Sequence, residues 1–277
     1  MLLLALDTST RQASIALSSE DELYGEYTWQ VGNNHSVELL QRIQRLFAEC
    51  GKTMPDIDVV AVATGPGSFN GVRVAVATAK ALSFSLQKPI VGVSTLEILA
   101  AHHCHWPGPI CSVLEAGRTE LYAACYMSDK NVGSNGDMTY RIRQLGDYQL
   151  LSPRNLSTYL EEQASTWAGI PGERELPPFL FCGEMSVASR QALYAQMQER
   201  CFFVNPVAAT RHASVLAMLA LQRIRDGKED NPLQLEPLYL RRPSITTSTR
   251  KQPLLGGKPD QLTGQSKTER GEGALRH

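Results

Sequence analysis

The order of apolar segments in the N-terminal part of the chain restricts its fold more than any other feature. Residues 2–6 form a short apolar run, and alternation over 13–17 and the stretch 24–29 predict two more strands. Helical periodicity then alternates with strand-like runs, which gives the order β-β-β-α-β-α-β-α. A meander followed by α/β units predicts an α/β fold with mixed sheets and helices on both faces.

A second, weaker series of the same kind follows. Its predicted strands and helices lie at 110–114, 121–126, near 153–164, 179–182, 186–199, 201–204 and 211–226. The polar, glycine-rich stretch 128–148 predicts a loop or an irregular hairpin. We therefore predict an N-terminal lobe over 1–104, completed by the helix near 211–226, and a smaller, shortened C-terminal lobe over 105–210.

Composition excludes several classes of protein. The 277 residues are 43% hydrophobic and carry a net charge of -1, which suits a large core but not a free-standing nucleic-acid binder. Without a membrane-length apolar run or paired cysteine spacing, the chain is expected to be soluble and cytoplasmic with reduced thiols. Residues 243–277 predict a disordered basic tail, which is either solvated or in loose contact with RNA.

The turn Asp7-Thr8-Ser9 is the first candidate site. An aspartate at a strand end, followed by hydroxyls, can face a metal-bound phosphate that the backbone amides of the turn hold. Alternatively, Asp7 caps its own turn and the two hydroxyls satisfy backbone groups. Spacing alone favours the second interpretation.

The second candidate is the loop from Gly65 to Gly71, GPGSFNG. Its glycines allow a close backbone approach, and its position at a helix N-terminus favours an anion, so Gly65, Gly67 and Ser68 are candidate cofactor-binding residues. The spacing is neither that of a P-loop nor G-x-G-x-x-G. The pattern therefore leaves phosphate binding open.

The helix after that loop has almost no polar face. Between Val74 and Gln87 its only charged residue is Lys80, and alanines alternate with larger apolar residues. Such a helix is expected to be covered on two sides. One cover is the sheet, and the other is either a second protein or the rest of its own domain.

Other chemistry is weakly supported. The run from His102 to His105 invites a metal interpretation, but neighbours in one segment cannot all face one ion, so a helix end is favoured. The residues Glu115 to Glu120 predict a hairpin turn. No Ser–His–Asp order and no paired carboxylates stand out, so the sequence predicts neither catalytic nor metal-binding residues.

Several segments together resemble one known family. They are LALDTSTRQASIAL, NNHSVELL, GPGSFNGVRVAVATAKAL, VSTLEILA, LEAGRTELYAACY, ATRHASVLAMLA and EPLYLRRP. They resemble the TsaB family, also called YeaZ, and the likeness spans about residues 1–242. The block G-P-G-S-F-x-G-x-R is specific to that family and its relatives.

The resemblance implies an actin-like fold of the ASKHA, or ribonuclease H-like, class with two lobes. It implies a non-catalytic subunit that activates TsaD by forming a heterodimer with it, and that cooperates with TsaE. TsaD would transfer threonylcarbamoyl to N6 of adenosine 37 in tRNAs that read ANN codons, and tRNA would be contacted through the complex. No cofactor is firmly implied, although ATP or ADP could act in the assembled complex.

The resemblance also implies a partner interface on the first two helices. Its residues are His35, Leu39, Leu40, Ile43, Phe47, Val72, Arg73, Val76, Ala79 and Lys80. Replacing Ala79 with Arg is then expected to leave the chain soluble and to weaken its assembly with TsaD.

Some positions depart from the family pattern. Asn70 stands where Thr is usual, and Glu115 and Gly117 stand where Asp and Arg are common. Cys182-Gly183-Glu184-Met185 replaces the Asp-Gly phosphate loop of active members of the fold class, and a second acidic loop for metal–nucleotide is missing. Three alternatives stay open: an independent ATPase or kinase of this fold, a peptidase, and a homodimer formed through the same helices.

Overall fold

A computed structural model describes residues 1–32, 35–132, 138–167 and 177–241. The first half of the chain forms five strands and three helices. They are β1 (Leu3–Asp7), β2 (Gln12–Ser18), β3 (Leu23–Gln30), α1 (His35–Glu49), β4 (Val59–Ala63), α2 (Phe69–Leu86), β5 (Ile90–Val93) and α3 (Thr95–His102). This is the order that the apolar segments predict.

The first sheet has the strand order β3-β2-β1-β4-β5. β1 pairs antiparallel with β2 and parallel with β4, and β5 extends the parallel part. All residues of β1, β4 and β5 are buried, because helices cover both faces of the sheet. A mixed sheet of this kind confirms the predicted fold class.

The second half repeats the first element by element. Its elements are β6 (Ile110–Gly117), β7 (Glu120–Val132), β8 (Met138–Leu151), α4 (Pro153–Trp167), β9 (Phe179–Glu184), α5 (Val187–Met197), β10 (Cys201–Phe203) and α6 (Ala213–Arg225). The sheet order is β10-β9-β6-β7-β8, which is the order of the first sheet with equivalent strands in equivalent places. The predicted duplication is therefore present in the topology.

The last helix of each half packs on the sheet of the other half. Leu96 and Leu99 of α3 lie in one core cluster with Ile110 and Leu114 of β6. Ala213, Leu216 and Ala220 of α6 lie against Leu3 and Ala5 of β1 in another. This exchange explains why residues 1–243 form one compact unit. A boundary near residue 104 stays a prediction.

Of the two alternatives for 128–148, the loop is wrong and the hairpin is confirmed, since β7 and β8 pair as one long antiparallel hairpin. Periodicity misled the prediction because β8 is an edge strand, and most of its side chains are at least partly exposed rather than alternating with buried ones. Residues 133–137, between the two strands, and the predicted basic tail over 243–277 lie outside the described residues.

The described part of the chain was also searched for membrane-spanning helices. None of its helices combines the length and apolarity that a crossing requires.

Candidate functional site

The turn after β1 is closed by its own hydrogen bonds. Asp7 is buried, and its Oδ1 accepts from the backbone N of Ser9 at 2.8 Å and from Ser9 Oγ at 2.5 Å. Thr8 Oγ1 donates to the carbonyl oxygen of Gly71 at 2.6 Å. The three candidate side chains are thus brought together, and they bond to the chain itself.

The glycine-rich loop lies directly on this turn. The backbone N of Ser68 donates to the carbonyl oxygen of Ser9 at 2.6 Å. A Cβ on Gly67 would stand 2.1 Å from that same oxygen, and one on Gly71 would stand 2.0 Å from the carbonyl oxygen of Thr8. These two glycines are therefore required by contact between two backbone segments. Ser68 caps α2 by accepting from the N of Gly71.

We expect Gly71→Ala to lower the free energy of unfolding by about 2–3 kcal/mol, as overpacking does. Alanine is favoured over glycine inside a helix by only about 1 kcal/mol. The clash outweighs that gain because the opposing atom is a backbone oxygen that cannot rotate away. Urea unfolding followed by circular dichroism measures the change.

Gly32→Ala is the matched control for this prediction. Its added Cβ would stand 3.0 Å from Glu38 Oε1, the far end of a flexible side chain. We expect a change within about 0.5 kcal/mol. Equal stability of the two variants would show that the loop and the Asp7 turn are not in close backbone contact.

Arg211 is the residue at this site that sequence reasoning missed. It precedes α6 and is 1% exposed, and its Nε donates to Asp7 Oδ2 at 2.8 Å. Its Nη2 donates to Thr10 Oγ1 and to the carbonyl oxygen of Gln12, both at 2.7 Å. Its Nη1 donates to Glu184 Oε1 at 2.5 Å, so the guanidinium bridges the first sheet and the end of β9 in the second.

The charges explain why Arg211 stays ionised in the interior. Burial alone would lower the pKa of Arg211, but the Asp7 and Glu184 carboxylates outweigh it and raise that pKa above its usual value. Thr10 Oγ1 also donates to Glu184 Oε1 at 2.7 Å, which completes the cluster. We call Asp7, Thr10, Glu184 and Arg211 the Arg211 cluster. A weak signal for it was present in the sequence, since Arg211 is a charge just before an apolar helix.

The departures in the second half have structural roles. Glu115 Oε1 accepts from the N of Ser186 at 2.8 Å and from Ser189 Oγ at 2.7 Å, so this carboxylate stabilises the start of α5. Gly117 has a φ of 72° at the turn between β6 and β7, where Arg118 and Thr119 also adopt positive φ. Asn70 is exposed in the first turn of α2.

Six of the residues predicted at a partner interface instead face the interior. They are Leu39, Ile43, Phe47, Val72, Val76 and Ala79, each at most 4% exposed. They pack with β1, β2 and β4 in the core cluster on one face of the first sheet. The expectation that these side chains contact a partner is wrong, because the apolar stripe of each helix packs against the first sheet. Ala79→Arg would therefore disrupt the fold rather than report on assembly.

The remaining predicted interface residues differ in exposure. Leu40 is 52% exposed, and Arg73 is exposed with its guanidinium over the ring of Phe69. Lys80 is partly exposed, and its Nζ donates to the carbonyl oxygen of Leu235 at 3.2 Å, so it holds the C-terminal segment. The side chain of His35, the first residue of α1, lies outside the described part.

The solvent side of α2 carries two alanines, a phenylalanine and one arginine. Arg73, Ala77, Ala81 and Phe84 are exposed and follow one another at helical spacing, and Phe84 is 51% exposed. We call these four residues the outer face of α2. Its only charge is that of Arg73, so the helix is covered by the sheet on one side and faces solvent on the other.

The histidine run ends α3 and meets the segment before α6. The ring of His102 stacks on that of His212 at 5.2 Å, and His212 Nδ1 lies 3.1 Å from Glu26 Oε2. Burial, with a smaller contribution from His102, lowers the pKa of His103 to about 4. Among the described residues, no three His, Cys, Asp or Glu side chains are grouped so that they could hold a metal ion.

The lowered pKa of His103 predicts that the stability of the protein depends on pH. An unfolded histidine titrates near pH 6.5. Between pH 6.5 and about 4, His103 is protonated in the unfolded chain but stays neutral in the folded one. The free energy of unfolding therefore falls as the pH is lowered through this window. After allowance for its half-exposed position, we expect a loss of about 1–2 kcal/mol.

Urea midpoints measured at several pH values check this expectation. His103→Gln should flatten the curve between pH 6.5 and 4. An unchanged slope in the variant would assign the pH dependence to other groups.

The two halves with equivalent strand order, the turn after β1 and the glycine-rich loop define an α/β protein of two mixed sheets, and the fold is shared with a solved YeaZ structure from Pseudomonas aeruginosa at a TM-score of 0.62 and 27% identity. A family model described as "TsaD: tRNA N6-adenosine threonylcarbamoyltransferase" matches residues 29–248. The chain belongs to that family, and within it to the TsaB group, also called YeaZ.

Individual relatives agree with this membership. The TsaB protein of Bacillus subtilis is 40% identical over 126 residues, which cover 46% of this chain and 55% of that protein. The TsaB protein of Haemophilus influenzae is 27% identical over 249 residues, which cover 87% and 94%. Both are named tRNA threonylcarbamoyladenosine biosynthesis proteins.

A solved structure from Pseudomonas aeruginosa, described as similar to the peptidase YeaZ, superposes with a TM-score of 0.66 at 27% identity. The superposed part covers 87% of this chain and 99% of the chain from Pseudomonas aeruginosa.

Proposed function

We propose that this chain is the non-catalytic partner subunit in threonylcarbamoyl transfer to N6 of adenosine 37 of tRNAs that read ANN codons. It forms a heterodimer with TsaD and holds that enzyme in its active state. TsaE and the tRNA bind to the complex that contains this chain and TsaD. If ATP or ADP takes part, it binds in the assembled complex.

The observation that carries the proposal is the outer face of α2. Ala77 and Ala81 are exposed on α2, and the opposite side of this helix packs against the first sheet. Small side chains let a second helix approach closely, and exposed apolar surface is typical of binding sites. Leu40 on α1 and Phe84 on α2 add two large exposed apolar side chains on helices that cover the same sheet.

The site in the interior supports an accessory role rather than an enzymatic one. Asp7 and Glu184 are bonded to Arg211, and Glu115 is bonded to the start of α5. Phosphoryl transfer needs acidic groups that are free to hold metal and nucleotide. We therefore assign the chemistry to TsaD.

Reconstitution of the modification tests the proposal. Purified TsaD, TsaE, tRNA and the threonylcarbamoyl-adenylate donor are incubated with and without this chain, and threonylcarbamoyladenosine is measured by mass spectrometry of the digested tRNA. We expect at least a tenfold loss when the chain is omitted. Undiminished modification without it would contradict the proposal.

A parallel assay separates the alternative enzymes. The chain alone is expected to show no turnover of ATP. Robust hydrolysis that disappears in Asp7→Ala, with folding verified by circular dichroism, would favour an independent ATPase.

A further inference from the structure

The Arg211 cluster joins the two halves of the molecule at the Asp7 turn, where the sequence pattern by itself allows a metal-bound phosphate. Asp7, Thr10 and Gln12 belong to the β1–β2 region of the first sheet, and Glu184 ends β9 of the second. All four present an oxygen atom to the guanidinium of Arg211 at 2.5–2.8 Å. The two sheets are therefore connected here through one side chain.

The atoms around the guanidinium are those that a divalent cation would use. They are two carboxylates, a hydroxyl and a backbone carbonyl, and hard cations such as Mg²⁺ are bound by oxygen ligands of this kind. The guanidinium carries a permanent positive charge and donates in fixed directions to several oxygens at once. It satisfies the cluster without a metal ion.

The neighbouring backbone segments are also in direct contact with each other. The carbonyl oxygen of Ser9 accepts from Ser68, and the carbonyl oxygen of Thr8 lies where a Cβ of Gly71 would have to stand. The glycine-rich loop is therefore packed on the Asp7 turn, and the amides of Ser68 and Gly71 bond within the chain. The residues present do not fit ATP or ADP at this turn.

We propose that Arg211 is a built-in cation that replaces metal–nucleotide between the two sheets and keeps the two halves in one closed arrangement. Arg211 stays with Asp7 on the first sheet, because α6 packs there, so moving the two sheets apart would separate Glu184 of the second sheet from the guanidinium. Arg141 with Asp226, between β8 and the end of α6, is a second, more exposed connection between the halves. The chain then offers its partner a rigid surface whose shape does not depend on nucleotide.

Paramagnetic broadening tests the first part of this proposal. Mn²⁺–ADP is titrated into the full-length chain, and the backbone amide signals are followed by NMR. We expect the signals of residues 7–12 and 182–186 to stay sharp up to millimolar concentrations. Selective broadening of these signals would overturn the proposal, because it would place the metal–nucleotide in the cleft.

Hydrogen exchange tests the second part. The amides of Ser9 and Gln12 bond to Asp7 and Thr10 and report on the cluster. In Arg211→Met we expect their exchange to accelerate at least tenfold more than that of amides in the middle of α1, which report the general loss of stability. Glu184→Ala removes the partly exposed member of the cluster and should give the same pattern if Arg211→Met does not fold.

Arg225→Met is the matched control, since Arg225 lies on α6 and pairs at the surface with Glu20. It should leave the exchange of Ser9 and Gln12 unchanged. Wild-type exchange rates in both Arg211→Met and Glu184→Ala, or in Glu184→Ala if it alone folds, would overturn the proposal.

Discussion

Ala77→Arg is expected to weaken binding to TsaD by at least about 30-fold without loss of stability. The side chain at position 77 is exposed in the free chain, so an arginine there is hydrated and harmless to the fold. In the proposed complex the same charge would be buried without a partner, which costs about 2–5 kcal/mol. Isothermal titration calorimetry with purified TsaD measures the effect.

Ala195→Arg is the control for this substitution. Ala195 is also an exposed alanine on a helix, but it lies on α5 in the second half of the chain. We expect its affinity for TsaD to equal that of the wild type. Equal affinity of the Ala77 variant would remove the outer face of α2 from the interface.

Arg211→Met is expected to lower the free energy of unfolding by about 3–5 kcal/mol, the usual cost of removing one partner of a buried ion pair. Methionine fills much of the volume, so the loss comes mainly from Asp7, which is 1% exposed and would lose the guanidinium that bonds to its Oδ2. Chemical unfolding of the purified variant measures the change.

Two comparisons make this prediction specific. Arg225→Met removes a surface pair whose side chains are 58% and 39% exposed, so a loss of no more than about 1 kcal/mol is expected. Asp7→Asn combined with Arg211→Met should cost less than the sum of the two single changes, because the two groups interact directly. Additive losses would show that Arg211 and Asp7 are not coupled.

The element order was predictable because strand and helix periodicities are local. Buried β1, β4 and β5 are short apolar runs, and α2 ends where its periodicity ends. The sequence could not decide between a loop and the hairpin of β7 and β8, since an edge strand with many exposed polar residues has the composition of a loop. The exchange of α3 and α6 between the sheets depends on tertiary contacts alone.

The candidate site was predictable only in part. The glycines of the loop indicate close backbone approach, and the structure supplies it, but the approaching group is Ser9 rather than a phosphate. Arg211 lies 204 residues from Asp7 in the chain, and no spacing rule joins residues so far apart. Six of the residues predicted at a partner interface face the first sheet instead, because periodicity cannot tell which apolar side of a helix meets the sheet.

Hydrogen exchange of this chain with and without TsaD tests the central claim most directly. If the outer face of α2 is the docking surface, the amides of α1 and α2 become slower to exchange on addition of TsaD, and those of α5 and β10 keep their rates. Protection confined to the second half, or no protection in α2 at saturating TsaD, would contradict the account.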